Sequence, residues 1–153
     1  MATNDQLIIN AAAETGGVCL RQTLLAQGVT PKVIGRRLSN GQLVRVRPGL
    51  YVVPHLRSKN TPLWQAQLAV PGAVLSRHTA ARLHRMPIGF DRQPDRLHVT
   101  ASIHAGRQVE GVVVHESRRL TDEDVVTVEG LRVTSPARTL IDLGSELRSA
   151  RLR

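Results

Sequence analysis

Aromatic residues and cysteine are scarce in this chain of 153 residues. Aromatics make up 2% of the sequence, which argues against a surface that stacks successive single-stranded bases. The single Cys19 cannot form an internal disulfide, and its usual role in such a sequence is to fill the core. No cysteine and histidine spacing matches a zinc finger. The apolar content of 41% still predicts a folded protein, with a core that is mostly aliphatic.

Long apolar runs are also absent. No segment approaches the ~20 apolar residues needed to cross a bilayer. The first ten residues, MATNDQLIIN, lack the basic region and the long apolar stretch of a signal peptide. We therefore expect a cytoplasmic protein without a membrane partner.

Carboxylates are missing from residues 15–90. Residues 1–90 hold eleven Lys or Arg against two acids, Asp5 and Glu14, whereas residues 91–153 hold ten Arg against ten acids. The whole formal charge of +9 therefore lies in the first part. Such an asymmetry indicates a polyanionic partner, most often nucleic acid. The alternative is that the charge serves only solubility.

Local signals predict two helices at the start of the chain. Thr3 can cap the first helix and Gly16 can end it. The second is predicted in CLRQTLLAQG, with Gly28 at its end. Three leucines are expected on one packed face of this second helix: Leu20, Leu24 and Leu25.

A third helix is predicted a few residues later. Thr30 is its N-cap, Pro31 occupies its first position and Gly41 lies past its end. The short connection between the second and third helices is typical of a helix-turn-helix. Gly35 inside the third helix predicts a close approach, either of DNA or of the second helix.

The segment LVRVRPGLYVV alternates apolar residues with arginines and then turns at Pro48 and Gly49. It predicts a two-stranded wing whose aliphatic residues pack and whose arginines face outward. Tyr51 is expected to pack in the core or in the wing. Three helices followed by a hairpin give the order of a winged helix, which we place at residues 1–55.

Residues 62–153 are predicted to form a small mixed α+β domain, so the fold class of the chain is α+β. The segments PLWQAQLAV and SRHTAARLHRM predict short helices, the second capped by Ser76. After a turn over residues 87–94 come strands in RLHVTAS and EGVVVHES and a hairpin around Glu129 and Gly130. A last helix is predicted from Ser135, with Pro136 at its first position.

Three stretches together resemble a known family. They are LLAQGVTPKVIGRRLSNGQLVRVRPGLYVV, then GAVLSRHTAARLHRM, then VTSPARTLIDL. In this order they are similar to the AbiEi-type antitoxin and transcriptional-regulator family of bacterial type IV toxin–antitoxin systems, in its actinobacterial branch. The likeness covers residues 15–145.

The resemblance implies an amino-terminal winged helix that binds operator DNA and represses its own operon, followed by a domain concerned with antitoxin function. It also implies a genetic link to a nucleotidyltransferase toxin. Many relatives continue past TLIDL into an endonuclease-like domain, whereas this sequence ends at Arg153. A naturally short member and the remnant of an endonuclease-domain protein both stay open as alternatives.

The DNA-binding residues are predicted from helix geometry and from the wing. Turning ~100° per residue from Ile34 puts part of the third helix opposite its packed side, where it can meet base edges in a major groove. Arg36 is the first choice for base readout. Arg37 falls nearer the packed side and is expected to contact a phosphate or to lie along the second helix. The predicted set is Arg21, Lys32, Arg36, Arg37, Ser39, Arg45 and Arg47.

Catalytic motifs are not found, so no enzyme activity, cofactor or metal is expected. The histidines are spread over the sequence, and His78 and His84 lie about 240° apart on one candidate helix, too far to share a metal. His98 and His115 are expected to be exposed on strands. The acids of TDEDVV are interpreted as a solvated loop.

A second hypothesis belongs to another class, that of protein-interaction modules. Residues 91–153 are electrically balanced and end in an amphipathic helix that could bind a partner chain. The apolar residues expected to do so are Leu140, Ile141 and Leu147. Oligomeric state is left open by the sequence.

Overall fold

The computed structural model of the protein describes residues 1–89, 95–102 and 108–152. The chain separates into two compact units, Met1–Ala69 and Val70–Arg153. Over the described residues they contain six α-helices and two β-sheets, so the predicted α+β class is confirmed. The predicted turn over residues 87–94 lies partly outside the described residues, and His104 lies outside them altogether. In the part of the chain that is described, no helix is long and apolar enough to span a bilayer.

The first unit contains four helices and a three-stranded antiparallel sheet in the order β1-β3-β2. Its elements are α1 (Asn4–Ala13), β1 (Val18–Leu20), α2 (Arg21–Ala26), α3 (Pro31–Ser39), β2 (Val44–Arg47), β3 (Leu50–Val52), a 3₁₀ turn (Pro54–Leu56) and α4 (Thr61–Ala69).

The predicted helix starts of α1 and α3 are confirmed by their caps. The Thr3 hydroxyl accepts the backbone N–H of Gln6 at 3.2 Å. The Thr30 hydroxyl accepts that of Val33 at 3.3 Å. Each cap satisfies one N–H that the first turn of a helix leaves without a partner, which stabilises the start by about 1 kcal/mol.

The prediction for the second helix is partly wrong. Residues 18–20 form β1, and Val18 and Leu20 pair with Val52 and Leu50 of β3. The helical spacing of the leucines cannot reveal this strand, because its stability comes from pairing with residues about thirty positions away. Leu24 is buried as expected, but Leu25 is 40% exposed.

The predicted hairpin over β2 and β3 is confirmed, but the packing of β2 differs from the prediction. Its pairing with β3 shifts between Arg45 and Arg47, as at a β-bulge. A bulge breaks the strict alternation of faces. Arg47, which follows the shift, is half-buried, and Val44, which precedes it, is 39% exposed.

One aliphatic cluster forms the core under α1, α2, α3 and the sheet. Tyr51 and Cys19 lie inside it, which confirms their predicted packing roles. Burial raises the pKa of the Cys19 thiol to about 11, so the thiol stays protonated at neutral pH. The buried members are Ile8, Ala12, Cys19, Leu24, Val29, Ile34, Leu43, Tyr51 and Val53.

Helix α4 belongs to the first unit, whereas the sequence places it in the second domain. The Thr61 hydroxyl donates to the Gly16 carbonyl at 2.6 Å. Gly16 has a φ of +60°, and a Cβ there would approach Trp64 Cδ1 to 2.9 Å. This close contact joins α4 to the end of α1, and the boundary between the units falls after Ala69.

The second unit contains a five-stranded mixed sheet in the order β6-β5-β4-β8-β7. Strand pairs β4–β8 and β5–β6 are parallel, and β4–β5 and β7–β8 are antiparallel. The elements are β4 (Val74–Leu75), α5 (Arg77–Leu83), β5 (Leu97–Ala101), β6 (Val112–Glu116), a 3₁₀ turn (Asp122–Asp124), β7 (Val125–Val128), β8 (Leu131–Thr134) and α6 (Pro136–Arg151). Strand β4 has two residues and is missed by the sequence analysis.

Ser76 and Ser135 precede α5 and α6 as predicted, but they act differently. The Ser135 hydroxyl accepts the N–H of Arg138 at 3.2 Å and caps α6. The Ser76 hydroxyl makes no cap bond and accepts the Thr100 hydroxyl at 2.8 Å instead. Ser76 therefore links the start of α5 to β5.

The stretch TSPARTLIDL, one of those that carry the family resemblance, builds the start of α6. Arg138 is its central residue: the guanidinium donates to carboxylates of Asp142 at 2.9 Å and Asp124 at 3.0 Å. It also donates to the Arg119 carbonyl at 3.0 Å and to the Ser117 hydroxyl at 3.2 Å. The acids of TDEDVV are thus more than a solvated loop, since Asp124 holds the 3₁₀ turn to α6.

Candidate functional site

Helix α3 has one packed side and one polar side. Ile34 is buried in the core of the first unit, whereas Lys32, Arg36 and Ser39 are exposed. The burial pattern agrees with the division of faces expected from the spacing. A helix with this pattern can present cations outward while its other side is fixed by the core.

Ser39 and Gly35 are two small residues on the polar side of α3. The Ser39 hydroxyl donates to the Gly35 carbonyl at 2.9 Å, so its hydrogen already has an acceptor within the helix. A Cβ placed on Gly35 would meet nothing within 4 Å. Close packing against α2, one of the two explanations left open for Gly35, is therefore wrong.

The hairpin carries Arg45 and Arg47 in different environments. Arg45 is exposed on β2, while Arg47 lies half-buried after the bulge. Gly49 in the turn has a φ of +77°, a left-handed conformation that glycine adopts without strain. The turn thus connects β2, which carries these two arginines, to β3.

Arg21 lies at the junction between the hairpin and α2. Its backbone N–H donates to the Gly49 carbonyl at 2.8 Å, and its Nη1 atom lies 3.5 Å from the Tyr51 hydroxyl. The first residue of α2 is therefore attached to the hairpin turn. The guanidinium is half-buried rather than fully exposed.

Arg37 is held by α1. Its guanidinium lies 2.7 Å from the Asp5 carboxylate, and its side chain is 19% exposed. The sequence places it near a phosphate or along α2, but the structure gives it an ion pair with α1 instead. Asp5 precedes the carboxylate-free stretch, so tertiary contact alone brings this acid to Arg37.

The first unit keeps a large positive charge in spite of this ion pair. Its residues 1–69 include eight Lys or Arg and two acids, Asp5 and Glu14, for a net charge of +6. One of these acids, Asp5, forms the ion pair with Arg37. The exposed cations of α3 and β2 therefore lie in a unit that has little acid with which to neutralise them.

Three histidines of the second unit, His78, His98 and His115, lie close together although they are spread over the sequence. His98 is 5% exposed, so its predicted exposure on a strand is wrong. Its Nδ1 atom lies 3.0 Å from Nε2 of His115, and the two rings are nearly parallel. In the parallel register, His98 stands opposite Val113 and His115 opposite Thr100, which puts both histidines on one face of the sheet.

Glu146 of α6 completes this cluster, and the sequence analysis does not identify it. Its carboxylate accepts hydrogen bonds from Arg77 and from His78 Nε2, the latter at 3.1 Å. Desolvation opposes its charged form, but Arg77 and then His78 outweigh it and lower the pKa of Glu146. No short sequence motif joins residues 78, 98, 115 and 146, so no spacing signal could have found them together.

His115 is kept neutral by its surroundings. Desolvation is the largest cause, followed by the charge of Arg77, and together they lower the pKa of His115 to about 4 although Glu146 acts in the opposite direction. One of its two imidazole nitrogens therefore keeps a free lone pair at neutral pH. His84 has another role, since its Nε2 lies 2.7 Å from the Thr134 carbonyl.

Comparison with known proteins adds no family assignment. No protein-family model matches the chain, and none of the curated proteins matches it.

Proposed function

We propose that the protein is a transcriptional regulator that binds double-stranded DNA in a sequence-specific way, with a winged helix-turn-helix in its first unit. The observation that carries this proposal is the polar side of α3. Lys32 and Arg36 are exposed there, opposite buried Ile34, in a unit of net charge +6. Helix-turn-helix proteins present the outward residues of such a helix to base edges in the major groove.

The order of elements supports the same reading. Helices α2 and α3 are joined by residues 27–30, and the hairpin of β2 and β3 follows α3 directly. Strand β1 adds a third strand to the hairpin. A core fixed on the other side of α3 would let the unit meet DNA as a rigid body, which lowers the entropic cost of binding.

The predicted contacts divide into two kinds. Arg36 would read a base, because a bidentate Arg–guanine contact discriminates by ~1–3 kcal/mol. Arg45 and Arg47 would follow phosphates or enter the minor groove, with Lys32 and Ser39 near base edges and Arg21 near the backbone. Arg37 would give less, because Asp5 already binds its guanidinium.

Operator selection from random duplexes, followed by gel shifts over a range of salt, tests the proposal. Arg36→Ala should weaken specific binding by ~10–100-fold and relax the preference at one base pair. Arg45→Ala should weaken binding to all sequences and flatten the salt dependence by about one charge. Arg148→Ala is the matched control, since it removes the same charge from an exposed position in the second unit.

Two results would contradict the model. One is a selection that yields no preferred sequence. The other is a set of three variants that lose affinity equally, which would mean that only net charge matters. Either result would mean that the protein binds polyanions through charge alone, without sequence specificity.

Repression of its own operon and an antitoxin role, in the cytoplasm, extend this proposal. They rest on the similarity of the quoted stretches to the AbiEi-type family. A neighbouring reading frame for a nucleotidyltransferase, together with binding of the selected operator upstream of this gene, would support both. A toxin that stays active when this protein is co-expressed would contradict the antitoxin role.

The exposed side of α6 favours a second candidate function, that of a protein-interaction module. Leu140 is 59% and Ile141 66% exposed, and Leu147 is exposed on the same helix. Burying such side chains against another protein chain would be favourable. If this is the chief role, replacing Leu140 and Ile141 by serine should abolish assembly measured by sedimentation, while wild-type DNA binding proves weak and independent of sequence.

A further inference from the structure

Three side chains on different elements of the second unit bring potential metal ligands together. His98 on β5, His115 on β6 and Glu146 on α6 each offer one nitrogen or oxygen atom, and these atoms all lie within 4.8 Å of one another. We propose that they form a binding site for a divalent transition-metal ion, with Zn²⁺ as the preferred ion. This inference does not rest on DNA binding.

The distances suit one ion shared by three ligands. Zn²⁺ lies about 2.1 Å from nitrogen and oxygen ligands, so tetrahedral geometry separates two ligand atoms by about 3.4 Å. His98 Nδ1 and His115 Nε2 form a hydrogen bond of 3.0 Å, which is close to this separation, and a bound ion would take the place of the proton between them. The widest separation in the set is at most 4.8 Å, so the widest pair must approach by no more than about 1.4 Å to reach the tetrahedral separation.

The ligand types select the ion. Two imidazoles and one carboxylate suit Zn²⁺ and its neighbours in the first transition row, whereas Mg²⁺ and Ca²⁺ require oxygen ligands. Imidazole binds a metal through the nitrogen that carries no proton, and each of the two rings can offer one such atom. Three protein ligands leave the fourth position of a tetrahedral ion to water.

His78 and Arg77 act on the carboxylate from outside this set. His78 Nε2 lies 3.1 Å from one Glu146 oxygen, and Arg77 bonds the other. Outer partners of this kind orient a ligating carboxylate, and each carboxylate oxygen has a second lone pair for the ion. The positive charge of Arg77 opposes a cation, so this residue limits the affinity of the site while it keeps Glu146 ionised.

A bound ion would connect α6 to two strands of the sheet. The ligands come from β5, β6 and α6, which lie far apart in sequence. An ion that binds this arrangement only in the folded chain raises its stability. Metal binding and thermal stability therefore report on the same site.

The test uses the full chain without a histidine tag, freed of metal with EDTA and then exchanged into chelator-free buffer. Titration calorimetry should give one equivalent of Zn²⁺, and saturating Zn²⁺ should raise Tm by at least ~4 °C. Mg²⁺ should do neither. A wild-type protein that binds no Zn²⁺, or whose Tm responds equally to Mg²⁺, would overturn the proposal.

Variants locate the site. His115→Ala and Glu146→Gln should each lower Zn²⁺ affinity by more than ~100-fold, and His78→Ala by ~10–100-fold, the range for an outer partner. His55→Ala is the matched control, because it removes an exposed histidine from the first unit and should leave affinity unchanged. Circular dichroism of each metal-free variant verifies its fold. Retained affinity in a folded His115→Ala variant, or an equal loss in His55→Ala, would show that zinc binds elsewhere.

Discussion

In the second unit, two arginines are held by carboxylates, whereas in the first unit three cations of α3 and β2 are exposed. Arg138 is fixed by Asp124 and Asp142, and Arg77 by Glu146. Lys32, Arg36 and Arg45 are exposed in a unit with only two acids. Ion pairs thus hold elements of the second unit together, whereas these three cations of the first unit are exposed to an external anion. Arg37 differs from these three cations, because Asp5 binds it.

The largest expected effect on stability comes from breaking the charge network of the second unit. Arg138→Ala removes a guanidinium that donates to two carboxylates, a carbonyl and a hydroxyl, and it leaves Asp142 partly buried without that partner. We expect the free energy of unfolding to fall by ~2 kcal/mol, the usual contribution of hydrogen bonds to a charged group. Denaturant unfolding followed by circular dichroism measures it.

The control for this variant is Arg148→Ala, an arginine exposed on the same helix. Its effect should lie within ~0.5 kcal/mol. The fluorescence of Trp64, the single tryptophan and a residue of the first unit, follows that unit separately. Equal effects of the two variants would contradict a cohesive role for Arg138.

The next largest effect is expected in the pH dependence of stability, which should be a property of the second unit because His115 lies there. The pKa of His115 is about 4 when folded, against 6.5 for an ordinary histidine, so the unfolded chain binds more protons between these values. The free energy of unfolding of the metal-free protein should therefore fall as pH drops from about 6.5 to about 4 and stay level above that range. His115→Gln should reduce this slope. An unchanged slope would assign the acid sensitivity to other groups.

A substitution of Gly35 tests the first unit for both stability and DNA binding. Its Cβ position is open, so Gly35→Ala should raise the free energy of unfolding by ~1 kcal/mol. If DNA approaches the polar side of α3, the added methyl group should also weaken operator binding. Unfolding and gel-shift measurements on the same preparation check both effects. A stabilised variant with unchanged DNA affinity would move the contact away from Gly35.

The smallest effect is expected at the turn between β7 and β8. Glu129 has a φ of +51° and Gly130 of +81°, so both turn residues are left-handed, as in a type I′ turn. Asparagine tolerates this conformation better than glutamate, and Glu129→Asn should raise the free energy of unfolding by ~0.5 kcal/mol. Glu123→Asn, an exposed acid outside that turn, is the control for the lost charge. Equal shifts in both variants would mean that charge, not backbone strain, is the cause.

Local chemistry alone determined much of this protein. Helix caps and hairpin turns depend on interactions within a few residues, and the structure has them where the sequence predicts them. The caps are Thr3, Thr30 and Ser135, and the turns are at residues 48–49 and 129–130. The exposed side of α3 likewise follows from helical spacing and the burial of Ile34. Such features are readable because their causes lie next to them in the chain.

Tertiary structure alone decided the rest. Strand β1 exists because β3 pairs with it. Arg37 is neutralised because α1 brings Asp5 to it. His98 is buried because helices and strands of the second unit meet there. Glu146 reaches the histidines from α6, 31 positions after His115 in the sequence. Long-range contacts of this kind leave no periodic trace in the residues that make them, so a single sequence predicts the elements more readily than the sites between them.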